Sequence, residues 1–271
     1  MVNLLFLRLE GPLQAWGLRA RWGERDTADA PTKSGIIGLI GCALGYRRGD
    51  PRLTELSSAM RLGVRIDLPG RILHDYHTTG GGSYGSQRHD GSGTRLHDQP
   101  YVGGVLSAEV DAKGRIKVKI NSTTKEPETD VSTRSYLMDA SFLAALQGPS
   151  TQLEAIATAL QHPIWPCYLG RKACVPTTPI YAGLGMHDSL EAALATQEAT
   201  DRVQLAWQYR RPEALRLLIE TDVGSGNRQY DNLDHAAPRV FRPRYVKEQW
   251  CAVPMPTPTP MDPQPINTLE G

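Results

Sequence analysis

Four consecutive residues combine the side chains that acid–base chemistry uses. They are His74, Asp75, Tyr76 and His77, and a histidine titrates near neutral pH, so it can donate or accept a proton during a reaction. The segment that contains them, Arg71 to Thr78, reads as a β-strand. On a strand His74 and Tyr76 lie on one face while Asp75 and His77 lie on the other. The four side chains therefore do not converge, and we assign no catalytic residue.

Metal binding is the other chemistry that the residue types suggest. His74 and His77 have the spacing of half a metal site, but no third ligand lies in register. The spacing between Cys167 and Cys174 does not fit a zinc knuckle, and the chain has no CxxC pair. We expect no metal and no cofactor. The cysteines are expected to be buried free thiols: Cys42, Cys167, Cys174 and Cys251.

A basic residue and two small residues stand where a helix is predicted to begin, and they could bind phosphate. Lys33, Ser34 and Gly35 follow Pro31 and Thr32, and the free N–H groups and positive dipole end of a helix start attract anions. The order of residues lacks the leading glycine of GxxxxGK[ST], which excludes a nucleoside triphosphate site. The phosphate backbone of a nucleic acid is the ligand that fits.

The same predicted helix carries glycines at four positions that fall on one face: Gly35, Gly38, Gly41 and Gly45. A glycine within a helix costs about 1 kcal/mol relative to alanine, so each needs a compensating gain. For Gly38, Gly41 and Gly45 the expected gain is close packing of the helix on a sheet. For Gly35 it is the close approach of a ligand backbone.

Composition indicates a globular chain without a membrane segment. The chain has 271 residues, 40% of them hydrophobic, and no apolar run approaches the ~20 residues of a membrane span. No signal peptide is evident, so we expect a cytoplasmic protein with no membrane partner. The net charge is +1, yet basic residues outnumber acidic ones between Arg202 and Lys247. This local excess suits a polyanion bound at one place, or arginines that pair with nearby carboxylates.

The order of predicted elements indicates an α+β domain of the ferredoxin-like, RRM-type plan. Strand, helix and strand occur twice, in residues 1–79 and 134–187, with a short extra helix at Pro51 to Met60. A capping box from Thr151 to Glu154 is predicted to open the second long helix. The four strands are predicted at Val2 to Leu9, Leu62 to Ile66, Tyr136 to Leu146 and Ile164 to Lys172.

Residues 80–133 are predicted to form an inserted arm. Its glycine-rich first part cannot pack a core, and two alternating runs, Val105 to Asp111 and Arg115 to Ile120, predict a β-hairpin. Arg115, Lys117 and Lys119 share one face of the second run, at a spacing of roughly 6.5–7 Å. This basic face could follow a nucleic-acid backbone. It could equally protect an exposed edge strand from aggregation.

Residues 188–252 are predicted to form a smaller β-rich region. A capping box from Asp188 to Glu191 opens a helix that reaches about Ala199. Strands are predicted at Val203 to Tyr209, Leu215 to Thr221 and Tyr245 to Val253. Residues 253–271 are rich in proline, bury little and are expected to be disordered.

Six motifs place this sequence beside one known family. They are GPLQAWG (11–17), PTKSGIIGLIG (31–41), DYHT (75–78), LMDASF (137–142), YLGRK (168–172) and PRVF (238–241). In content and order they resemble the Cas-five-type subunits of the type I-E CRISPR Cascade complex, which belong to the RAMP superfamily. The resemblance covers most of residues 1–250.

The resemblance implies a non-catalytic subunit that binds CRISPR RNA in a ribonucleoprotein for antiviral DNA targeting. Such a subunit caps the 5′ end of the guide RNA and holds its repeat-derived 5′ handle. Its partners are the guide RNA, the backbone subunit and the large subunit of Cascade, and target DNA only indirectly. The arm at 80–133 would be the β-hairpin thumb that is pressed between the first guide bases.

The resemblance also implies which residues bind RNA. Trp16 would offer a stacking face, Lys33 and Arg171 would supply charge to phosphates, and Gly35 would allow close backbone approach. The full set is Gln14, Trp16, Lys33, Ser34, Gly35, Arg171 and Lys172, with Arg134 and Tyr136 at the return of the arm.

Two other functions remain open from the sequence. Subtype I-C relatives cut precursor CRISPR RNA without metal, and His74 to His77, with His89 and His97 on the arm, supply residues for such an endoribonuclease. Alternatively, the arm and the proline-rich tail could recruit protein partners as a scaffold. A nuclease would cleave repeat RNA when purified alone, a handle-binding subunit would retain it intact, and a scaffold would do neither.

Overall fold

A computed structural model gives the architecture of the chain. It describes residues 1–17, 23–80, 108–110, 116–118, 129–234 and 240–254, with backbone alone for 79–80, 108–110, 116–118 and 129–130. In this part of the chain, no helix is both long and apolar enough to cross a membrane.

The described residues form thirteen strands and five helices. The strands are β1 (Val2–Glu10), β2 (Leu13–Gln14), β3 (Glu24–Arg25), β4 (Arg61–Leu68), β5 (Arg71–Gly80), β6 (Ala108–Val110), β7 (Ile116–Val118), β8 (Thr129–Met138), β9 (Ser141–Gln147), β10 (Tyr181–His187), β11 (Leu215–Thr221), β12 (Asn227–Leu233) and β13 (Phe241–Cys251). The helices are α1 (Lys33–Leu44), α2 (Pro51–Ala59), α3 (Ser150–Gln161), α4 (Leu190–Thr196) and α5 (Asp201–Tyr209).

The larger sheet has seven strands in the order β10-β1-β9-β4-β11-β13-β12, and all neighbouring strands are antiparallel. Strand β9 lies between β1 and β4, and Leu7 and Val64 both pair with Ala144. Strands β1 and β4 therefore run parallel to each other. Because β11 pairs with β4, strands from residues 188–252 and from residues 1–79 share one sheet.

Strand β1 is almost wholly apolar because both of its faces are covered. Leu5, Leu7 and Leu9 belong to a core cluster with residues of α1 and α3. Leu4 and Phe6 belong to a second cluster, on the opposite face, with residues of α4. Burying one such side chain contributes about 1.5–3 kcal/mol. This two-sided burial fixes β1 in the interior of the sheet.

A buried arginine ties α4 to this sheet. The Arg65 side chain is fully buried and forms an ion pair of 2.6 Å with Asp67. Its Nη1 donates to the carbonyls of Leu194 and Gln197 at 2.6 Å each. Carbonyls at a helix end lack partners within the helix. The Arg65 side chain therefore supplies hydrogen-bond donors to the free carbonyls at the C-terminal end of α4.

Helix α1 begins where the sequence predicts, but it ends before Gly45, which was predicted to lie within it. The Thr32 hydroxyl caps the N–H of Gly35, and Gly45 adopts the left-handed conformation (φ 72°) that ends the helix. The Leu53 side chain of α2 occupies the space beside Gly41. Gly38 is exposed, with nothing within 4 Å of the position of a Cβ. Close packing is therefore present at Gly41, but against helix α2 rather than the predicted sheet, and it is absent at Gly38.

The smaller sheet is built on β8, which pairs with β5 on one side and with β2 and β3 on the other. The strand predicted at Tyr136 to Leu146 is wrong, because the chain breaks there into β8 and β9 of two different sheets. The break lies at Asp139, which adopts a positive φ of 57°. An aspartate tolerates this turn conformation better than most residues. The predicted run of apolar residues gave no sign of it.

The arm contains the predicted antiparallel pair. Strands β6 and β7 pair with Glu109 opposite Lys117, which confirms that the two predicted runs meet. Lys117 lies in β7, whereas Arg115 and Lys119 lie outside the described residues. The glycine-rich first part of the arm and residues 255–271 of the predicted tail also lie outside them.

Helix α5 replaces the strand predicted at Val203 to Tyr209. Alternate apolar residues suggested a strand, but Val203 and Trp207 are buried, four residues apart, while Leu205 and Tyr209 are exposed. Thr200 caps the helix by accepting from the N–H of Val203. Residues four apart lie on the same face of a helix, so Val203 and Trp207 can both enter the core while Leu205 and Tyr209 face solvent.

The strand predicted at Ile164 to Lys172 is also wrong. The N–H of Ile164 donates to the carbonyl of Ala43, and the N–H of Trp165 donates to the carbonyl of Cys42. The start of this segment is therefore hydrogen-bonded to the C-terminal end of α1 rather than to a strand. The edge strand is instead β10.

Two predicted capping boxes are shifted. Helix α3 begins after Pro149, without a side-chain cap, rather than at Thr151. Helix α4 is capped by Ser189 rather than Asp188, and it ends at Thr196. The helices themselves form as predicted because their apolar residues are spaced for one face.

Candidate nucleic-acid interface

Two of the sequence motifs pack directly on each other through backbone contacts. In the first motif the N–H of Ala15 donates to the carbonyl of Leu169 at 2.9 Å. Gly170 has a φ of 105°, and a Cβ there would lie 1.8 Å from the Ala15 carbonyl oxygen. Only glycine permits this approach. The motifs at 11–17 and 168–172 therefore form one structural unit.

Gln14 and Trp16 lie inside this unit and are buried, with 0% and 1% of their surface exposed. The Trp16 indole N–H donates to Gln14 Oε1 at 3.0 Å, and the Gln14 amide donates to the carbonyls of Leu9 and Ala140. The Trp16 ring also fills the space beside Gly35, where a Cβ would meet Trp16 Cε3 at 2.8 Å. The predicted stacking face of Trp16 is wrong, because the ring is part of the core.

The start of α1 already holds an anion, the carboxylate of Asp231. The Lys33 backbone N–H donates to Asp231 Oδ2 at 2.8 Å. Asp231 also receives Arg244 through Nε at 2.6 Å and Nη2 at 2.9 Å. The favourable anion position at this helix start is thus filled from within the chain. The predicted contact of Lys33 with a phosphate is therefore replaced by a contact with β12.

The Lys33 side chain is equally occupied. Its Nζ donates to Glu220 Oε1 at 2.7 Å, and only 1% of the residue is exposed. Burial lowers the pKa of the Lys33 ammonium, and the attraction of Glu220 only partly offsets this effect. Glu220 Oε2 accepts from the backbone of Leu62 at 3.0 Å and lies 3.8 Å from Arg244 Nη1. We name this group the buried ion network: Lys33, Glu220, Asp231 and Arg244.

Arg171 and its neighbours also have structural contacts. Its guanidinium donates to the carbonyls of Ser135 at 2.9 Å and Arg25 at 2.8 Å, and it lies 4.6 Å from the centre of the buried Tyr136 ring. These bonds hold the loop at 168–172 against β3 and β8. A phosphate would have to compete with them, so the charge predicted from Arg171 is already engaged.

Other predicted residues remain accessible to a ligand. Lys172 is exposed, Ser34 is half-buried, and so is Arg134. The Nε of Arg134 is buried without a hydrogen-bond acceptor among the described residues. Of the predicted set, Lys172 is exposed and Ser34 and Arg134 are partly exposed, so these are the residues that a polyanion could contact.

The histidine segment lies on β5 as predicted. His74 and Tyr76 are exposed, Asp75 and His77 are half-buried, and the His74 ring lies 3.1 Å from the Ser135 hydroxyl of β8. Among the residues with described side chains, no three His, Cys, Asp or Glu side chains cluster as a metal site. His89 and His97 lie outside the described residues.

Most arginines of the basic segment pair locally, which is the second of the two interpretations offered by the sequence. Arg216 contacts Asp29 at 2.6 Å, and Arg242 contacts Asp234 at 2.8 Å. Arg228 differs, because its guanidinium donates to the hydroxyls of Tyr230 and Tyr245 at 3.3 Å each. Arg228 contributes to the basic excess seen in the sequence, but its contacts with these tyrosines were not predicted. Their alternation along two paired strands was the signal available.

The family relationship follows from comparison with known proteins. Residues 4–254 match the family model described as CRISPR-associated protein (Cas_Cas5), so the chain belongs to this family. Among individual relatives, the CRISPR system Cascade subunit CasD of Escherichia coli (strain K12) is 32% identical over 210 residues, which cover 73% of this chain and 78% of the relative.

Solved structures agree with this relationship. A chain of a CRISPR RNA-guided surveillance complex matches with a TM-score of 0.62 at 29% identity, covering 93% of this chain and 91% of that chain. A second structure, described as the crystal structure of a Cas protein, matches with a TM-score of 0.57 at 31% identity. The match covers 93% of this chain and 97% of that chain.

Proposed function

We propose that this chain is the Cascade subunit that binds the 5′ handle of the guide RNA and caps its 5′ end. The observation that carries the proposal is the family match over residues 4–254, supported by the CasD relative. We further infer that β1, α1, β4, β9, α3 and β10 are a ferredoxin-like RAMP core. The β6–β7 hairpin is its thumb. The chain contacts the backbone and large subunits of the complex.

The handle contacts fall on exposed or partly exposed residues beside the packed motifs rather than on the motifs' buried members. Lys172 extends from the loop that Gly170 holds against Ala15, and Arg134 lies on β8 next to the Ser135 carbonyl that anchors Arg171. The buried residues Trp16, Gln14 and Lys33 act indirectly, by fixing the backbone that presents these donors. A rigid scaffold of this kind reduces the ordering cost of binding.

The proposed subunit is not a nuclease. The four candidate acid–base residues alternate along β5, and His74 lies against the Ser135 hydroxyl rather than beside a second titratable group. General acid–base catalysis requires both groups to reach one reacting centre.

The test is to co-express the chain with its neighbouring subunits and a CRISPR repeat transcript, then to purify the complex and sequence the bound RNA. We expect intact guide RNA whose 5′ end is protected from exonuclease. Lys172→Glu should weaken RNA retention and reduce its dependence on salt concentration, because the loss of a phosphate contact lowers the number of counterions released on binding.

The matched control is Arg48→Glu, an exposed cation between α1 and α2 that lies outside the motifs carrying the proposed contacts. It should leave RNA retention unchanged. Absence of RNA from the wild-type complex would refute the proposal. Trimming of repeat RNA by the purified chain alone would establish the nuclease instead.

A further inference from the structure

A cleft of about 470 Å³ opens between residues 28–32 and the strands β11, β12 and β13. This volume lies within the roughly 300–1,000 Å³ typical of ligand sites. Residues 28–32 lead directly into α1, so the cleft adjoins the motif that begins at Pro31. Its lining includes Asp29, Thr32, Leu218, Arg228, Tyr230 and Phe241.

Two aromatic residues of the lining are exposed. Tyr230 has 56% of its surface exposed and Phe241 has 36%, although large rings usually contribute to folding by burial. They come from neighbouring strands, β12 and β13, on either side of the bulge that contains Asp231. Exposed rings on paired strands offer the kind of surface on which single-stranded nucleic acids stack their bases.

Charge favours an anionic occupant. Arg228 donates to two tyrosine hydroxyls, and no ion pair joins it to a carboxylate of the described residues. Asp29, the acidic residue of the lining, is paired with Arg216 at 2.6 Å. Among the described residues, therefore, no carboxylate neutralises the positive charge that the cleft presents beside its aromatic rings. A guanidinium in this position can contact phosphate.

We propose that this cleft holds one unpaired base of the bound RNA, with Tyr230 and Phe241 as the stacking surface and Arg228 on an adjacent phosphate. The inference rests on the proposed handle-binding function and adds a base position to it. The backbone fold of this corner is fixed by the buried ion network, since Asp231 and Arg244 lie on the same two strands as the aromatic residues.

The experiment uses the complete complex, assembled on guide RNAs that carry the fluorescent base 2-aminopurine at one handle position at a time. A base stacked on an aromatic ring is quenched. Tyr230→Leu with Phe241→Leu should raise the fluorescence of one position, by roughly twofold or more, because both rings are removed. Arg228→Gln should weaken the quenching at that position and reduce its dependence on salt concentration, because one phosphate contact is lost.

Two controls separate stacking from misfolding. Tyr230→Phe keeps the ring and should keep the quenching. Trp250→Leu removes a ring that is 64% exposed on β13 but is not part of the cleft, and it should change no position. Thermal unfolding of each complex verifies that the variants are folded, and Arg228→Gln, at an exposed residue, tests the site without altering an aromatic side chain.

The outcomes distinguish this inference from the proposed function. Wild-type complex without RNA would refute both. Wild-type complex that holds RNA, but in which no position responds to the double variant or to Arg228→Gln, would refute the cleft alone. Loss of a neighbouring protein subunit with unchanged fluorescence would overturn the inference too, because the cleft would then be a protein-docking surface.

Discussion

Removal of the charge on Asp231 should destabilise the whole chain strongly. This carboxylate has 3% of its side-chain surface exposed and receives Arg244 through two bonds of 2.6 and 2.9 Å. It also accepts the first N–H of α1 at 2.8 Å. In Asp231→Asn, the amide NH₂ group would face donors, and the buried Arg244 would lose both of its short bonds and keep only the more distant carboxylate of Glu220, 3.8 Å away. Breaking a buried pair from one side costs about 3–5 kcal/mol.

The assay is urea unfolding followed by circular dichroism, with the unfolding free energy obtained by linear extrapolation. A loss of this size corresponds to a Tm lower by roughly 6–10 °C, at about 2 °C per kcal/mol for a chain of this length. The matched control is Asp222→Asn, since Asp222 forms an ion pair with Arg61 at 3.2 Å but has 91% of its side chain exposed. An exposed pair contributes about 0–1 kcal/mol.

The double variant Asp231→Asn with Arg244→Met adds a sharper test. Removing both charges leaves no unpaired arginine, so the loss should be smaller than the sum of the two single losses. A loss for Asp231→Asn no larger than that of Asp222→Asn would refute the reasoning. It would mean that the buried ion network contributes nothing beyond a surface pair.

Four further predictions follow from local geometry and burial. Gly38→Ala should raise the unfolding free energy by up to about 1 kcal/mol, since nothing lies within 4 Å of the new Cβ. Gly170→Ala should lower it by more than about 2 kcal/mol, since φ is 105° and the Cβ would lie 1.8 Å from a carbonyl oxygen. Urea unfolding measures both, and equal effects would contradict the geometry. Arg171→Ala should lower Tm, because it removes the hydrogen bonds to the Ser135 and Arg25 carbonyls. The control Lys172→Ala changes an exposed residue and should leave Tm unchanged. Equal Tm values for the two variants would show that Arg171 does not stabilise the fold. Burial raises the pKa of the Cys167 thiol to about 11. Alkylation of this thiol by iodoacetamide, measured by mass spectrometry, should therefore be slow at pH 8 and should accelerate as the pH rises toward 11. Rapid labelling at pH 8 would contradict the raised pKa.

Elements with strong local patterns could be predicted from the sequence. Strand β1, helices α1 and α2, and strands β4, β11 and β13 lie where apolar runs, caps and breakers placed them. The order of strand, helix, strand and its repeat is present, but the last strand is β10 rather than residues 164–172. That segment was misread because its pairing with the end of α1 involves residues more than a hundred positions earlier.

The roles of the motif residues depended on tertiary contacts. Trp16, Lys33 and Arg171 have the side chains that bind RNA in many proteins, and their types alone favoured that role. In the folded chain Lys33 meets Asp231, which is 198 residues away, and Glu220, which is 187 residues away. The sequence contains both carboxylates, but no local pattern assigns either of them to the start of α1.

The sequence by itself determined the family, through motifs in a fixed order, and the elements whose apolar periodicity is local. Only the tertiary structure decided which side chains of the motifs face inward and which stay available to a ligand. The physical reason is that secondary structure follows from neighbours a few residues apart. Burial and ion pairing follow from segments that meet only after the sheet has formed, as β12 meets α1 through Asp231.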